Sequence, residues 1–235
     1  MAKKEKDQRT HEDIFIKITR KIEYFIIKHI KIIAISLSVL VVLLAVYFTT
    51  DYVLKKNEQR AQSAFEKVYL AYAESTEQKD PPEEETDAEL LGFIEDFETV
   101  IDEYPQSKAA AKSALYIGDI LYTNGQYEEA VQYFNEGSSI KKNYYVSLLS
   151  LQRLASSYVQ LEEYEKAIEV YNQIETRFNE EYIIPTIIFF RAQLFERINR
   201  LEKADDEYSR IVAEYPWSGW KEFAEKRQLL LKSYM

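Results

Sequence analysis

The sequence predicts an all-α protein: a single N-terminal transmembrane helix followed by an α-solenoid of about three to four helix pairs. Three observations predict it. Residues 32–50 form an apolar run without a charge. Gly and Pro number only five each in 235 residues, too few for the turns of an all-β fold. Several columns of residues recur every 37 positions through the second half of the chain.

The N-terminal segment, residues 1–31, is basic. It carries nine Lys/Arg and five Asp/Glu, whereas residues 32–235 carry 21 and 35. Ile14, Phe15, Ile18, Ile22, Phe25 and Ile26 fall on one helical arc, and Lys17, Arg20, Lys21, Lys28 and Lys31 on the opposite one. That pattern suits a helix in the headgroup layer, or an extension of the span with its lysines snorkelling.

Ile32 to Thr50 follows. Nineteen helical residues rise about 28 Å, close to the thickness of the hydrocarbon layer. The 31-residue leader and the bulky Val46-Tyr47-Phe48 point to an uncleaved anchor and away from a signal peptide. Arg20, Lys21, Lys28 and Lys31 precede the span, so the N-terminus is expected in the cytoplasm and residues 51–235 outside the inner membrane.

Residues 51–75 are expected to continue as a membrane-proximal helix, with Ala61, Ala64, Phe65, Val68, Tyr69 and Tyr72 at three- and four-residue steps. The stretch 76–87 contains Pro81-Pro82 among acids and is expected to be a loop. From residue 88 the repeat governs. Gly118, Ala155 and Ala192 are 37 apart, as are Ala130, Ala167 and Ala204, and Phe134, Tyr171 and Tyr208. Glu103-Tyr104-Pro105 recurs as Glu214-Tyr215-Pro216. Small residues in two columns let paired helices cross closely, and rings in the third fill the space alongside. Phe93 and Arg191 break the pattern, each standing where another residue type is expected. Ser107 and Ser218 are placed to cap the helices that follow, and residues 218–234 are expected to form a polar capping helix.

These units, Ser113–Phe134 and Leu151–Tyr171 above all, resemble tetratricopeptide repeats, with three residues added to the usual period of about 34. The resemblance covers residues 88–235 and implies helix pairs whose first members line a concave face. On that frame the groove residues are Asp119, Tyr122, Gln152, Ser156, Phe189, Gln193 and Arg197. The Lys/Asn/Arg cluster by which co-chaperone repeats hold a terminal carboxylate is missing. Anchor plus array also resembles the YfgM-type anchored periplasmic proteins. That likeness implies a protein-binding partner of envelope or inner-membrane proteins. The alternatives are a scaffold in an envelope machine such as a flagellar motor collar, or an outer-membrane assembly or cell-division adaptor.

The exclusions are also chemical. With no cysteine, disulfides, thiolate metal sites and Cys nucleophiles are ruled out. The two histidines, His11 and His29, both precede the span, and no nucleophile-and-base set can be assembled in the acidic outer part. The acidic balance argues against nucleic acid. No cofactor, metal site or catalytic residue is expected, and Glu83-Glu84-Glu85 with Asp87 reads as a solvated acidic run.

Overall fold

The computed structural model describes residues 2–77, 84–142, 144–178 and 182–233, with backbone alone for residues 2–15, 33, 77 and 84–89. Among the described residues there are nine helices and no strand: α1 (Ala2–Glu77), α2 (Glu84–Glu103), α3 (Lys108–Thr123), α4 (Tyr127–Ile140), α5 (Tyr145–Gln160), α6 (Tyr164–Arg177), α7 (Ile184–Arg197), α8 (Leu201–Glu214) and α9 (Lys221–Leu231). Two compact units divide the chain, residues 1–56 and 57–235.

In the first unit α1 runs unbroken from Ala2. One stretch of it is long and apolar enough to cross a membrane, and its side chains, Leu40, Leu43 and Phe48 among them, are exposed. The backbone of the basic segment is thus helical and continuous with the apolar run; the side chains of His11, Ile14 and Phe15 lie outside what the structure describes.

The second unit begins earlier than the repeat register suggests. The stretch 51–75 is not a separate element. From Asn57 onward α1 belongs to the repeat unit, with Ala61 and Phe65 buried in its core. Phe65 and Tyr72 meet Phe97 of α2, and Phe65, Tyr69 and Tyr72 meet Tyr116 of α3 at centroid distances of 5.3–5.8 Å. Glu58 accepts a hydrogen bond from the Lys108 N–H at the start of α3, 2.8 Å away. The end of α1 therefore serves as the first helix of a first pair, with α2 as its second. The out-of-register Phe93 packs edge-on against Tyr72, 5.7 Å between centroids. Of the expected loop 76–87, residues 76–77 and 84–87 are helical, since α1 continues to Glu77 and α2 starts at Glu84. Pro81-Pro82 and Glu83 lie outside the described residues.

Four pairs result, α1/α2, α3/α4, α5/α6 and α7/α8, with α9 after them. The second helices end at Glu103, Ile140, Arg177 and Glu214, each 37 residues beyond the last. Gly118, Ala130, Phe134, Ala155, Ala167, Tyr171, Ala192, Ala204 and Tyr208 all lie in the interior. At Gly118 a Cβ would stand 2.5 Å from the Phe134 ring, so any larger residue there would displace that ring. The turns within the last three pairs share a left-handed residue: Gly125 (φ 76°), Glu162 (φ 59°) and Asn199 (φ 57°), again 37 apart.

The two candidate caps differ. Ser107 has extended backbone, and its side chain accepts a hydrogen bond from the Ala110 N–H. Ser218 does not cap α9: the helix starts at Lys221, and the Ser218 hydroxyl accepts from the Trp220 N–H within the preceding turn. The capping helix is accordingly Lys221–Leu231, shorter than 218–234, and Tyr234 lies outside the described residues.

Candidate functional site: a groove across the first helices

The first helices of successive pairs, α3, α5 and α7, contribute residues to one cavity, with α3 packed beside α5. Their i, i+3/i+4, i+7 positions form a continuous face. On it a cavity of about 230 Å3 opens between Tyr122 of α3, Ser156 and Gln160 of α5, and Phe190, Gln193 and Arg197 of α7. Val159, Tyr171 and Leu194 complete the lining. Gln160 Nε2 donates to the Tyr122 hydroxyl at 3.3 Å, joining α5 to α3 at the rim, and the Tyr122 ring is held edge-on by Tyr127, 5.2 Å away. Burial pushes the Tyr171 hydroxyl up to about 12, so it stays protonated and can donate.

The structure therefore brings Tyr122, Ser156, Gln193 and Arg197 together. It does not place Phe189 with them. Phe189 is only 5% exposed and lies in the core, stacked on Trp220 at 4.4 Å and tilted against Tyr208 at 5.5 Å. Its neighbour Phe190, 38% exposed, is the ring that faces the cavity. One residue of helix is a 100° rotation, so an error of one in the frame exchanges core for surface. Phe190 could have been found by counting from Gln193 and Arg197, which sit three and seven residues on.

Asp119 and Gln152 stand off the cavity, both half-buried. Asp119 is paired with Arg153 at 3.0 Å. Burial raises the Asp119 carboxyl above the ordinary range, with the Arg153 charge opposing the rise.

The pattern-breaking Arg191 points away from the groove, between the second helices. It is 3% exposed. Its Nη1 bonds Glu175 of α6 at 2.6 Å and Asn172 at 2.8 Å, and its Nη2 bonds both carboxylate oxygens of Glu207 of α8 at 2.8 and 2.9 Å. Arg210 shares Glu175 at 2.6 Å. Burial alone would raise the Glu175 carboxyl, but hydrogen bonds and charge from Arg210 and Arg191 together hold it below the ordinary range. Further along, Glu196 of α7 accepts from both Arg227 of α9 and the Tyr208 hydroxyl, tying α7, α8 and α9 together.

Among the described residues no His, Cys, Asp and Glu grouping of three could hold a metal ion.

Residues 94–139 and 149–177 match tetratricopeptide-repeat family profiles. A tetratricopeptide-repeat protein from Parabacteroides merdae superposes with a TM-score of 0.56 at 16% identity, over 73% of this chain and 61% of its own. This chain thus spans less than two thirds of that protein's length. The MamA RS-1 double mutant superposes with a TM-score of 0.53 at 10% identity, over 73% and 84% of the two chains. At these identities the likeness is one of fold. No curated protein matches the chain. Residues 94–139 and 149–177 thus carry tetratricopeptide repeats, within a solenoid that is all-helical among the described residues.

Proposed function

We propose that this chain is a non-enzymatic, membrane-anchored module that holds a segment of another protein in the groove between α3, α5 and α7. Solenoids of this kind present extended concave faces for binding. The observation that carries the reading is the cavity itself, where the rings of Tyr122, Tyr171 and Phe190, the amides of Gln160 and Gln193, the Ser156 hydroxyl and the Arg197 guanidinium converge from three repeats. Such a mix suits the backbone and apolar side chains of a peptide. The apolar run of α1 supplies the anchor. The basic flank before it supports an N-terminus in the cytoplasm and an array outside the inner membrane. The layout is that of YfgM-type envelope proteins, which favours an envelope or inner-membrane partner.

The test is photocrosslinking in native membranes. A photoreactive residue at Phe190 or Tyr122 should capture a partner, whereas one at the exposed Glu169 on α6 should not. Tyr122→Ala with Phe190→Ala should release the partner and leave the circular dichroism unchanged. Aromatic anchors of this kind typically contribute about 2 kcal/mol or more, roughly thirty-fold in affinity. Equal capture from Glu169, or retention by the double variant, would reject the groove. Protease added to spheroplasts should digest residues beyond Asp51; protection of the array would reverse the topology.

A further inference from the structure

The chain carries 40 acidic and 30 basic side chains, yet the groove cavity is lined by one arginine and no carboxylate. Elsewhere in the repeat unit the arginines beyond Lys108 are occupied. Arg153, Arg191, Arg200, Arg210 and Arg227 each hold a carboxylate. Arg177 donates to the Ser138 and Lys142 carbonyls and to the Ser147 hydroxyl. Arg197 is the exception. It is exposed, lies over the Tyr164 ring at 5.6 Å, and among the described residues has no carboxylate within ion-pair distance. In a protein rich in acids, a guanidinium oriented by a ring and left without an anion is a place for one, and a carboxylate fits its fork with two parallel hydrogen bonds.

The rest of the face says how far away that carboxylate must be. Phe190, Gln193 and Arg197 occupy i, i+3 and i+7 of α7, so Phe190 and Arg197 stand about 10 Å apart along the helix axis. An extended chain covers that distance in about three residues. Gln193 lies between them on the helix and Gln160 lines the same cavity, with amides that can both donate to and accept from a peptide backbone.

We infer that the groove selects an extended segment of a partner protein, with an apolar side chain beside Phe190 and an internal Asp or Glu side chain, about three residues away, on Arg197. The inference rests on the groove reading above and adds the charge and spacing of the ligand. It concerns a side-chain carboxylate, so a free C-terminus is not required.

The test uses the full chain in detergent micelles against a display library of random ten-residue peptides whose C-termini are blocked by the carrier. Wild-type protein should enrich peptides with an apolar residue and an Asp or Glu about three positions apart. Synthetic amidated versions of the enriched peptides should bind Arg197→Gln about tenfold more weakly. Arg197→Glu should enrich Lys or Arg in place of the acid. Arg197 is exposed and holds no carboxylate among the described residues, so both variants should keep the wild-type circular dichroism. If wild-type protein enriches apolar peptides without an acid, still lost in Phe190→Ala, the groove stands and the inference falls. If enrichment survives Tyr122→Ala with Phe190→Ala, the groove reading itself falls. If no peptide is enriched, and a concentration-dependent dimer disappears in Arg197→Gln, a second copy is the occupant and the inference is overturned.

Discussion

The two ends of the repeat unit pack the same helix-pair geometry with different chemistry. At the N-terminal end, α1, α2 and α3 meet through rings: Phe65, Tyr69, Tyr72, Phe93, Phe97 and Tyr116. At the C-terminal end, rings are joined by buried charge. Arg191 bridges α6 and α8 from α7, and Arg227 reaches Glu196 from α9. Ring contacts have weak directional demands, so a shape change is absorbed over many neighbours. A buried ion pair demands its partner, and half of one is worse than none.

The comparison is broken most severely at Arg191. Arg191→Ala leaves Glu207 without a counter-charge and Glu175 with Arg210 alone, and should cost about 3–5 kcal/mol in denaturant unfolding of the full chain in micelles. Arg191→Met with Glu207→Leu should recover most of that loss, since Glu175 keeps Arg210. No recovery would mean the pair does more than neutralise itself. At the other end, Phe97→Leu keeps an apolar side chain in a ring-lined site and should cost no more than about 1.5 kcal/mol. A larger loss would show that the seam depends on ring stacking, such as that of Phe97 on Tyr116.

Acidification should pull the two ends apart. The Glu175 carboxyl is held low in the folded state, so its contribution is present above the ordinary glutamate value and is lost as pH falls through the lowered one. Asp119 and Glu136, nearer the N-terminal end, are shifted the other way. Burial raises both, with Asp102 and Glu98 adding to the rise at Glu136. Their folded forms bind the proton more tightly, so stability from these two grows as pH falls through their raised values. Hydrogen exchange corrected for intrinsic rates should therefore show α6–α8 losing protection on acidification before α3 and α4 do. Equal loss at both ends would sink the distinction. The smallest effect is at the caps. Ser107→Ala should cost about 1 kcal/mol, and Ser218→Ala only a few tenths, because Ser218 caps no helix.

The same contrast explains what the sequence discloses. Small and aromatic columns are visible because each repeats along the chain at a fixed step, as with Gly118, Ala155 and Ala192. The first pair is hidden because the inserted stretch around Pro81-Pro82 shifts the end of α1 out of register, although Phe65, Tyr69 and Tyr72 already sit at helical steps. Arg191 reads as a blemish because its partners, Glu175 and Glu207, lie 16 residues to either side on different helices. In the groove Tyr122, Ser156, Gln193 and Arg197 follow from the repeat frame, but Phe189 and Phe190 are equally apolar. The spacing from Gln193 and Arg197 points to Phe190 for the groove, and the stacking of Phe189 on Trp220 shows the other ring spent on the core.

The left-handed turn residues carry a consequence for the architecture as a whole. Gly125, Glu162 and Asn199 share a positive φ and the same hydrogen-bonded turn although their side chains differ, so the backbone repeats here where the sequence does not. Such positions are splice points. Excising residues 126–162 would run α3 through the same turn into α6, setting Gly118 against Tyr171 where it now faces Phe134, small residue against ring as before. The number of units is thereby an adjustable dimension, and the reach of the face lined by the first helices can be lengthened or shortened in steps of one pair without redrawing any of its joints.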